Sequence, residues 1–315
     1  MDFLRWLEGL RTPFWNLVFD KLTLLGEETV FMVIAIILFW CVNKKWGYYL
    51  LSVSFLGTLV NQFLKLVYRI PRPWVVDPSF TIVESARAGA GGYSFPSGHT
   101  QGAVGLFGSL ALCTKKTWIR ILCILAMLLV PFSRMYLGVH TPLDCIVAFV
   151  CGVVILLAFY PLIVQSEGHP KRMYVLFALL LLSCVAYLCF VHFVLQPAEF
   201  GEVGSESYDN YRNGVKNSWS LAGSLLGLIV TWFYDENKLH FEEKAPFLGQ
   251  VCKVVLGLAG VLAIRFGLSK LFGMLFPGQL FWTMPRYFLM VLFTGCVWTR
   301  TFPFWQRLGK KEAES

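Results

Sequence analysis

The sequence predicts an all-α protein, a polytopic transmembrane helical bundle of about nine spans. Three observations carry this. Of 315 residues, 57% are apolar and only 15% charged, and the mean hydropathy is +0.62. That leaves too little polar surface for a water-soluble domain of this size. The apolar residues gather in helix-length blocks rather than amphipathic stripes. The basic residues fall in short loops between alternate blocks, the pattern of a membrane protein with one cytoplasmic side.

In chain order, residues 1–27 form an amphipathic segment. Asp2, Arg5, Glu8 and Arg11 interrupt any apolar run, so a signal peptide is not expected. Phe3, Leu4, Trp6, Leu7 and Leu10 alternate with them at helical spacing. This predicts a helix lying in the membrane interface, with Trp6 and Trp15 at headgroup level. The apolar blocks follow at 30–42, 49–67, 102–113, 118–131, 143–164, 173–195, 219–233, 251–272 and 287–298. A span takes about 20 residues, so the shorter blocks must borrow flanking residues. The first five make a core domain, 28–164, that holds every chemically suggestive motif. Residues 165–315 add four blocks and a cytoplasmic tail. Two long loops stand out, a sign of function or flexibility. One covers 69–96 and includes Ala88-Gly-Ala-Gly-Gly92, and the other covers 197–217.

A net charge of +8 could signal nucleic acid, but its distribution argues against that partner. Lys44 and Lys45, then Lys115, Lys116 and Arg120, then Lys171 and Arg172, then Arg300, Arg307, Lys310 and Lys311 all fall on one side of a nine-span chain. The positive-inside rule makes that side cytoplasmic. Glu199, Glu202, Glu206 and Asp209 fall on the other. The nine cysteines lie nearly all within apolar blocks, with no C-x-x-C pair. They read as small hydrophobic residues without a redox or zinc role.

Three segments carry polar residues that membrane helices rarely hold without a reason. They are Lys65-Leu-Val-Tyr-Arg-Ile-Pro-Arg72-Pro73, then Tyr93-Ser-Phe-Pro96-Ser97-Gly98-His99, then Ser133-Arg134 through His140-Thr-Pro-Leu-Asp144. All lie at block ends on the outer side, so they can converge at one depth. Lys65, Arg72 and Arg134 are three positive charges with no carboxylate interleaved. A phosphate is the natural anion for such a cluster. One basic residue alone would read as snorkelling from a helix end. Pro71 and Pro73 end the helix and fix Arg72 in an extended turn. Ser97 stands at a helix start, where free backbone N–H groups favour an anion, and Gly98 lets the backbone come close to it. Thr141 and Pro142 suit an N-cap and first helical residue. Asp144, four residues beyond His140, can then orient the imidazole and leave its other nitrogen to attack phosphorus. His99 is the candidate general acid, and afterwards the base for water. No carboxylate cluster of metal-binding type is present, so neither a metal nor another cofactor is expected.

These segments resemble the three-part signature of the type 2 phosphatidic acid phosphatase family, K-x6-R-P, P-S-G-H and S-R-x5-H-x3-D, with every signature residue in place. About a dozen identities in order at set spacings make the match specific, and it covers roughly 28–164. The resemblance implies a helical-bundle fold, metal independence and a lipid phosphate or diphosphate substrate. The phosphatase roles fall on His140, His99 and Asp144, with Lys65, Arg72, Ser97, Gly98 and Arg134 holding phosphate. The expected location is an integral protein of a bacterial cytoplasmic membrane, and the topology read from the charged loops turns its site outward. Leu25-Gly-Glu-Glu-Thr and Phe39-Trp-Cys-Val-Asn43 look more like the branches acting on sphingoid phosphates and dolichyl diphosphate. Soluble vanadate-dependent haloperoxidases share the signature, and the membrane composition argues against them. A lipid phosphotransferase would use the same residues. A transporter or scaffold would need ionisable residues inside the added blocks, where Arg265 and Lys270 are the candidates and look like helix-end charges.

Overall fold

The computed structural model describes residues 1–164 and 171–308. Lys310 and Lys311, counted above among the cytoplasmic charges, lie outside the described residues. Every regular element among them is helical. In chain order they are α1 (Asp2–Gly9), α2 (Pro13–Thr23), α3 (Glu28–Ile37), α4 (Lys44–Tyr68), α5 (Pro73–Val76), α6 (Gly98–Ala103), α7 (Ser109–Cys113), α8 (Thr117–Tyr136), α9 (Pro142–Ile163), α10 (Lys171–Cys189), α11 (Glu206–Tyr234), α12 (Phe247–Leu275), α13 (Thr283–Leu292) and α14 (Phe302–Arg307). Wider π-type turns extend α3 through Leu38–Val42 and join α6 to α7 through Val104–Gly108.

All nine apolar blocks fall on helices, while the count of nine spans is not confirmed. Among the described residues, six helical stretches are long and apolar enough to cross a membrane, or seven if the bent pair Pro13–Gly26 and Glu28–Val42 is one span. The 102–113 block is too short even with the turns that flank it. The 219–233 block is the apolar half of α11, whose other half is rich in polar and charged residues.

The chain divides into two compact units. The first contains Met1–Met32, Tyr49–Arg172 and Gln196–Gly214. In it the 77–90 stretch folds over the end of α8. Val83 N–H donates to Leu137 O at 3.0 Å, and Ala86 and Ala90 are buried among Leu7, Tyr136, Leu137 and Val139. The amphipathic α1 is present as expected. Its Leu4 and Leu7 face this loop, while Phe3 and Trp6 are exposed. Arg5 bridges to Asp77 at 2.6 Å, and Arg11 donates to the carbonyls of Tyr136 and Thr81 at 2.9 and 2.7 Å. The chain turns after α8 at Gly138, φ +84°, where an added Cβ would sit 2.6 Å from Arg11 Nη2 and 3.0 Å from Phe80. Only glycine fits there without strain.

The second unit contains Val33–Tyr48, Met173–Leu195 and Val215–Ser315. Its core is aromatic, with Trp40 against Trp298 and Phe302 at 6.3 Å each. Lys44 pairs with the buried Asp235 at 2.7 Å. Arg265 and Lys270 are exposed along α12 rather than at its end. The buried cation of this unit is Lys253, whose ammonium donates to Glu243 O at 2.7 Å and faces the Phe302 ring at 4.2 Å.

Candidate active site

The site lies within the first unit, and its residues come from the ends of four helical segments. Lys65 is in the last turn of α4, Ser97 caps α6, Arg134 is in the last turn of α8, and Asp144 is in the first turn of α9. Arg72 sits in the extended turn before α5, held by Pro71 and Pro73, with φ −71° and ψ 154°. All eight residues singled out in the sequence come from these neighbouring segments. Arg72, Arg134, His140, Asp144 and Ser97 are buried, Lys65 and His99 are half-buried, and Gly98 is exposed.

The three cations share one backbone. Arg72 donates through Nε to Gly92 O at 2.9 Å, through Nη2 to Gly91 O at 2.7 Å and through Nη1 to Val139 O at 2.9 Å. Lys65 Nζ donates to Tyr93 O. Arg134 donates to Gly89 O at 3.2 Å and to Thr23 Oγ1 at 3.0 Å, and its Nε is buried without a partner. Among the described residues no carboxylate pairs with any of the three. Carbonyl dipoles orient these charges without neutralising them, which suits a site for a multiply charged anion.

Asp144 fixes His140. Thr141 caps α9 through a capping box, its hydroxyl accepting from Asp144 N at 3.3 Å while Asp144 Oδ2 accepts from Thr141 N at 2.8 Å. The same carboxylate oxygen accepts from Ser94 Oγ at 2.6 Å and lies 3.3 Å from His140 Nδ1. Arg72 Nη1 lies against the same ring, 2.9 Å from Nε2 and 3.5 Å from Nδ1. The Asp144 carboxylate accepts, so in the neutral ring the proton sits on Nδ1 toward Asp144 and Nε2 keeps its lone pair. The sequence leaves that second nitrogen free, and here the Arg72 guanidinium packs beside it. Ser97 Oγ accepts from Thr100 N at 3.4 Å and Thr100 Oγ1 at 3.0 Å, so it serves first as a helix cap. The His99 ring lies near Gly89, 3.8 Å from where a Cβ there would stand. Behind it, the His99 carbonyl would be 2.8 Å from a Cβ on Gly26, so the chain passes close there. Burial, and then Arg72, Arg134 and Lys65, hold His140 well below the ordinary imidazole range. Burial, and then Arg134, Arg72 and Lys65, press His99 down to about 3.

The PAP2 superfamily model matches residues 46–168, the stretch that holds all eight of these residues. An undecaprenyl-diphosphatase of Sulfolobus acidocaldarius is 32% identical over 153 residues, 47% of this chain and 69% of that protein. The chain belongs to the PAP2 superfamily. The class expected from the signature, a membrane lipid phosphatase, stands with it. A second model, the transmembrane extension of PAP2 superfamily phosphatases, matches residues 219–304 and so covers most of the added helices. The undecaprenyl-diphosphatase BcrC of Bacillus subtilis is 29% identical over 151 residues, 46% of this chain and 75% of its own. A probable sphingosine-1-phosphate phosphatase of Dictyostelium discoideum is 29% identical over 201 residues, 59% of this chain and 48% of its own. No solved structure matches the chain at a significant level.

Sequence reasoning missed the residues that hold the signature in place. The Ala88–Gly92 tract stood out only as a glycine-rich loop, yet the carbonyls of Gly89, Gly91 and Gly92 orient Arg134 and Arg72. Ser94, Thr23 and Asn61, which donates to Pro96 O at 3.2 Å, carry no spacing that would reveal them. The 197–217 stretch, read as a loop, is a short 3-10 turn (Pro197–Phe200) followed by α11. Part of it belongs to the unit that holds the site.

Proposed function

We propose that the protein hydrolyses a lipid phosphate or diphosphate, without a metal, through a phosphohistidine on His140. The observation that carries this is the buried Asp144–His140–Arg72 arrangement, in which Nδ1 faces a carboxylate and Nε2 offers its lone pair. The substrate phosphate takes the place of the Arg72 contact on Nε2. Nε2 then attacks phosphorus and the bond from phosphorus to the lipid oxygen breaks. His99, in its protonated form, gives that oxygen its proton. Water attacks the phosphohistidine with neutral His99 as base, and phosphate leaves. Lys65, Arg72, Arg134, the Ser97 hydroxyl and the Gly98 N–H hold the equatorial oxygens and stabilise the charge of the transition state. Asp144 stabilises the cationic phosphohistidine. Two phosphate charges offset the three cations and so raise the low pKa of His99, which lets it hold a proton only when substrate is bound. Among the described residues no three His, Cys, Asp or Glu side chains are grouped to hold a metal ion.

The names of these relatives support undecaprenyl diphosphate and sphingosine 1-phosphate as models of the substrate class. Release of free phosphate from a panel of these lipids by purified protein tests the reading. His140→Ala should abolish turnover while the protein still folds, EDTA should leave activity intact, and vanadate should inhibit. Substantial turnover by His140→Ala, or activity lost in EDTA and restored by Mg²⁺, would overturn the proposal.

A further inference from the structure

Residues 196–214 return from the C-terminal half to the phosphate site and are fastened to it at several points. Arg69, at the end of α4, pairs with Glu199 at 2.7 Å and lies over the Phe200 ring at 4.0 Å. Phe200 is buried and packs on Tyr211 at 4.9 Å. Gly214 lies against Leu66, next to Lys65, where an added Cβ would be 2.6 Å from Leu66 Cδ1. Near the start of α11, Ser207 Oγ is 2.8 Å from the Tyr93 hydroxyl, and Asn210 Oδ1 is 3.6 Å from where a Cβ on Gly92 would stand.

The segment they grip is the backbone that holds the site together. From Gly91 to Ser97 it accepts from Arg72 at Gly91 O and Gly92 O and from Lys65 at Tyr93 O. Ser94 Oγ donates to Asp144 Oδ2, and Ser97 N donates to Asp144 O at 3.0 Å. Yet Gly91 and Gly92 are the residues least able to hold a conformation unaided. Tyr93 is the hinge between the two networks, its carbonyl on Lys65 and its hydroxyl on Ser207.

Resting on the reading of the site as a phosphate cradle, we infer that Tyr93 and Ser207 are positioning residues. Their hydrogen bond locks the Gly91–Tyr93 backbone so that Lys65 and Arg72 stay aimed at the phosphate. The added C-terminal region thus contributes to phosphate binding without touching substrate. Losing one hydrogen bond of this kind weakens anion binding by roughly three- to tenfold.

The test is vanadate affinity, read as thermal stabilisation of purified wild type, Tyr93→Phe, Ser207→Ala, the double variant and Ser207→Thr. Both single variants should weaken binding by that factor. The double variant should be no worse than either single, because both break one interaction. Ser207→Thr, which keeps the hydroxyl, should restore affinity. In turnover, KM should rise by a similar factor with kcat within about twofold. Folded variants with unchanged vanadate affinity, additive losses in the double variant, or no rescue by Ser207→Thr would overturn the inference. A wild type that binds vanadate but hydrolyses no lipid phosphate would overturn the proposed function and leave this comparison readable.

Discussion

At the residue scale the site is a concentration of unneutralised charge. Lys65, Arg72 and Arg134 are oriented by carbonyl oxygens, and both histidines bear the consequence. His99 and His140 stay neutral in the folded protein at pH values where an unfolded imidazole, with an ordinary value of 6.5, takes up a proton. Between pH 6.5 and about 3, the unfolded chain therefore binds more protons at position 99, and His140 shifts in the same direction. These residues then add stability that is present above 6.5 and is lost as the pH falls through that window. The apparent Tm of wild type should drop between pH 7.5 and 5, and His99→Gln should drop less over the same interval. Saturating vanadate should flatten the wild-type curve, because a bound anion removes much of the cost of protonating His99. An equal pH response in wild type and His99→Gln would refute this account of His99.

At the element scale, each site residue stands where a helix begins or ends, and the termini are set by local chemistry. Thr141 and Asp144 form a capping box, Ser97 caps α6, and Pro71 and Pro73 hold Arg72 outside a helix. The turn between α8 and His140 depends on Gly138, whose positive φ and contacts with Arg11 and Phe80 exclude a side chain. Gly138→Ala should destabilise the protein by about 1–3 kcal/mol, measured as a lower midpoint of thermal unfolding in detergent. Turnover should fall further than the loss of folded protein accounts for, since the turn also sets the Val139 carbonyl that holds Arg72. Unaltered stability would mean that the turn can relax more readily than its packing indicates.

At the scale of the whole molecule the question is which side of the membrane the site faces. Lys44 opens α4 and Lys116 stands at the N-cap of α8, whereas Lys65 and Arg134 occupy the last turns of the same two helices. The basic loop ends and the site are thus at opposite ends of each helix. If the positive-inside rule holds, the site faces outward. Single cysteines on a background lacking the native nine report this directly. Ser79→Cys, in the exposed loop over the end of α8 where Arg134 lies, should react with a membrane-impermeant maleimide in intact cells. Lys115→Cys should react only after permeabilisation. The reverse pattern would put the site on the cytoplasmic face.

The sequence by itself determined the membrane class, the helical content, the caps at Ser97 and Thr141, and all eight residues expected to carry the chemistry. It could do so because hydrophobic blocks, caps and a motif of fixed spacing are local signals. Three things were decided only by tertiary structure. Polar content in α11 and the shortness of the 102–113 block reduced nine apolar blocks to six or seven candidate spans. The glycine-rich tract became the scaffold for Arg72 and Arg134 because backbone carbonyls leave no mark in residue identity. The 196–214 segment joined the site through Arg69, Tyr93 and Leu66, partners more than a hundred residues away in the chain. Such contacts arise from packing between distant segments, which no local pattern encodes.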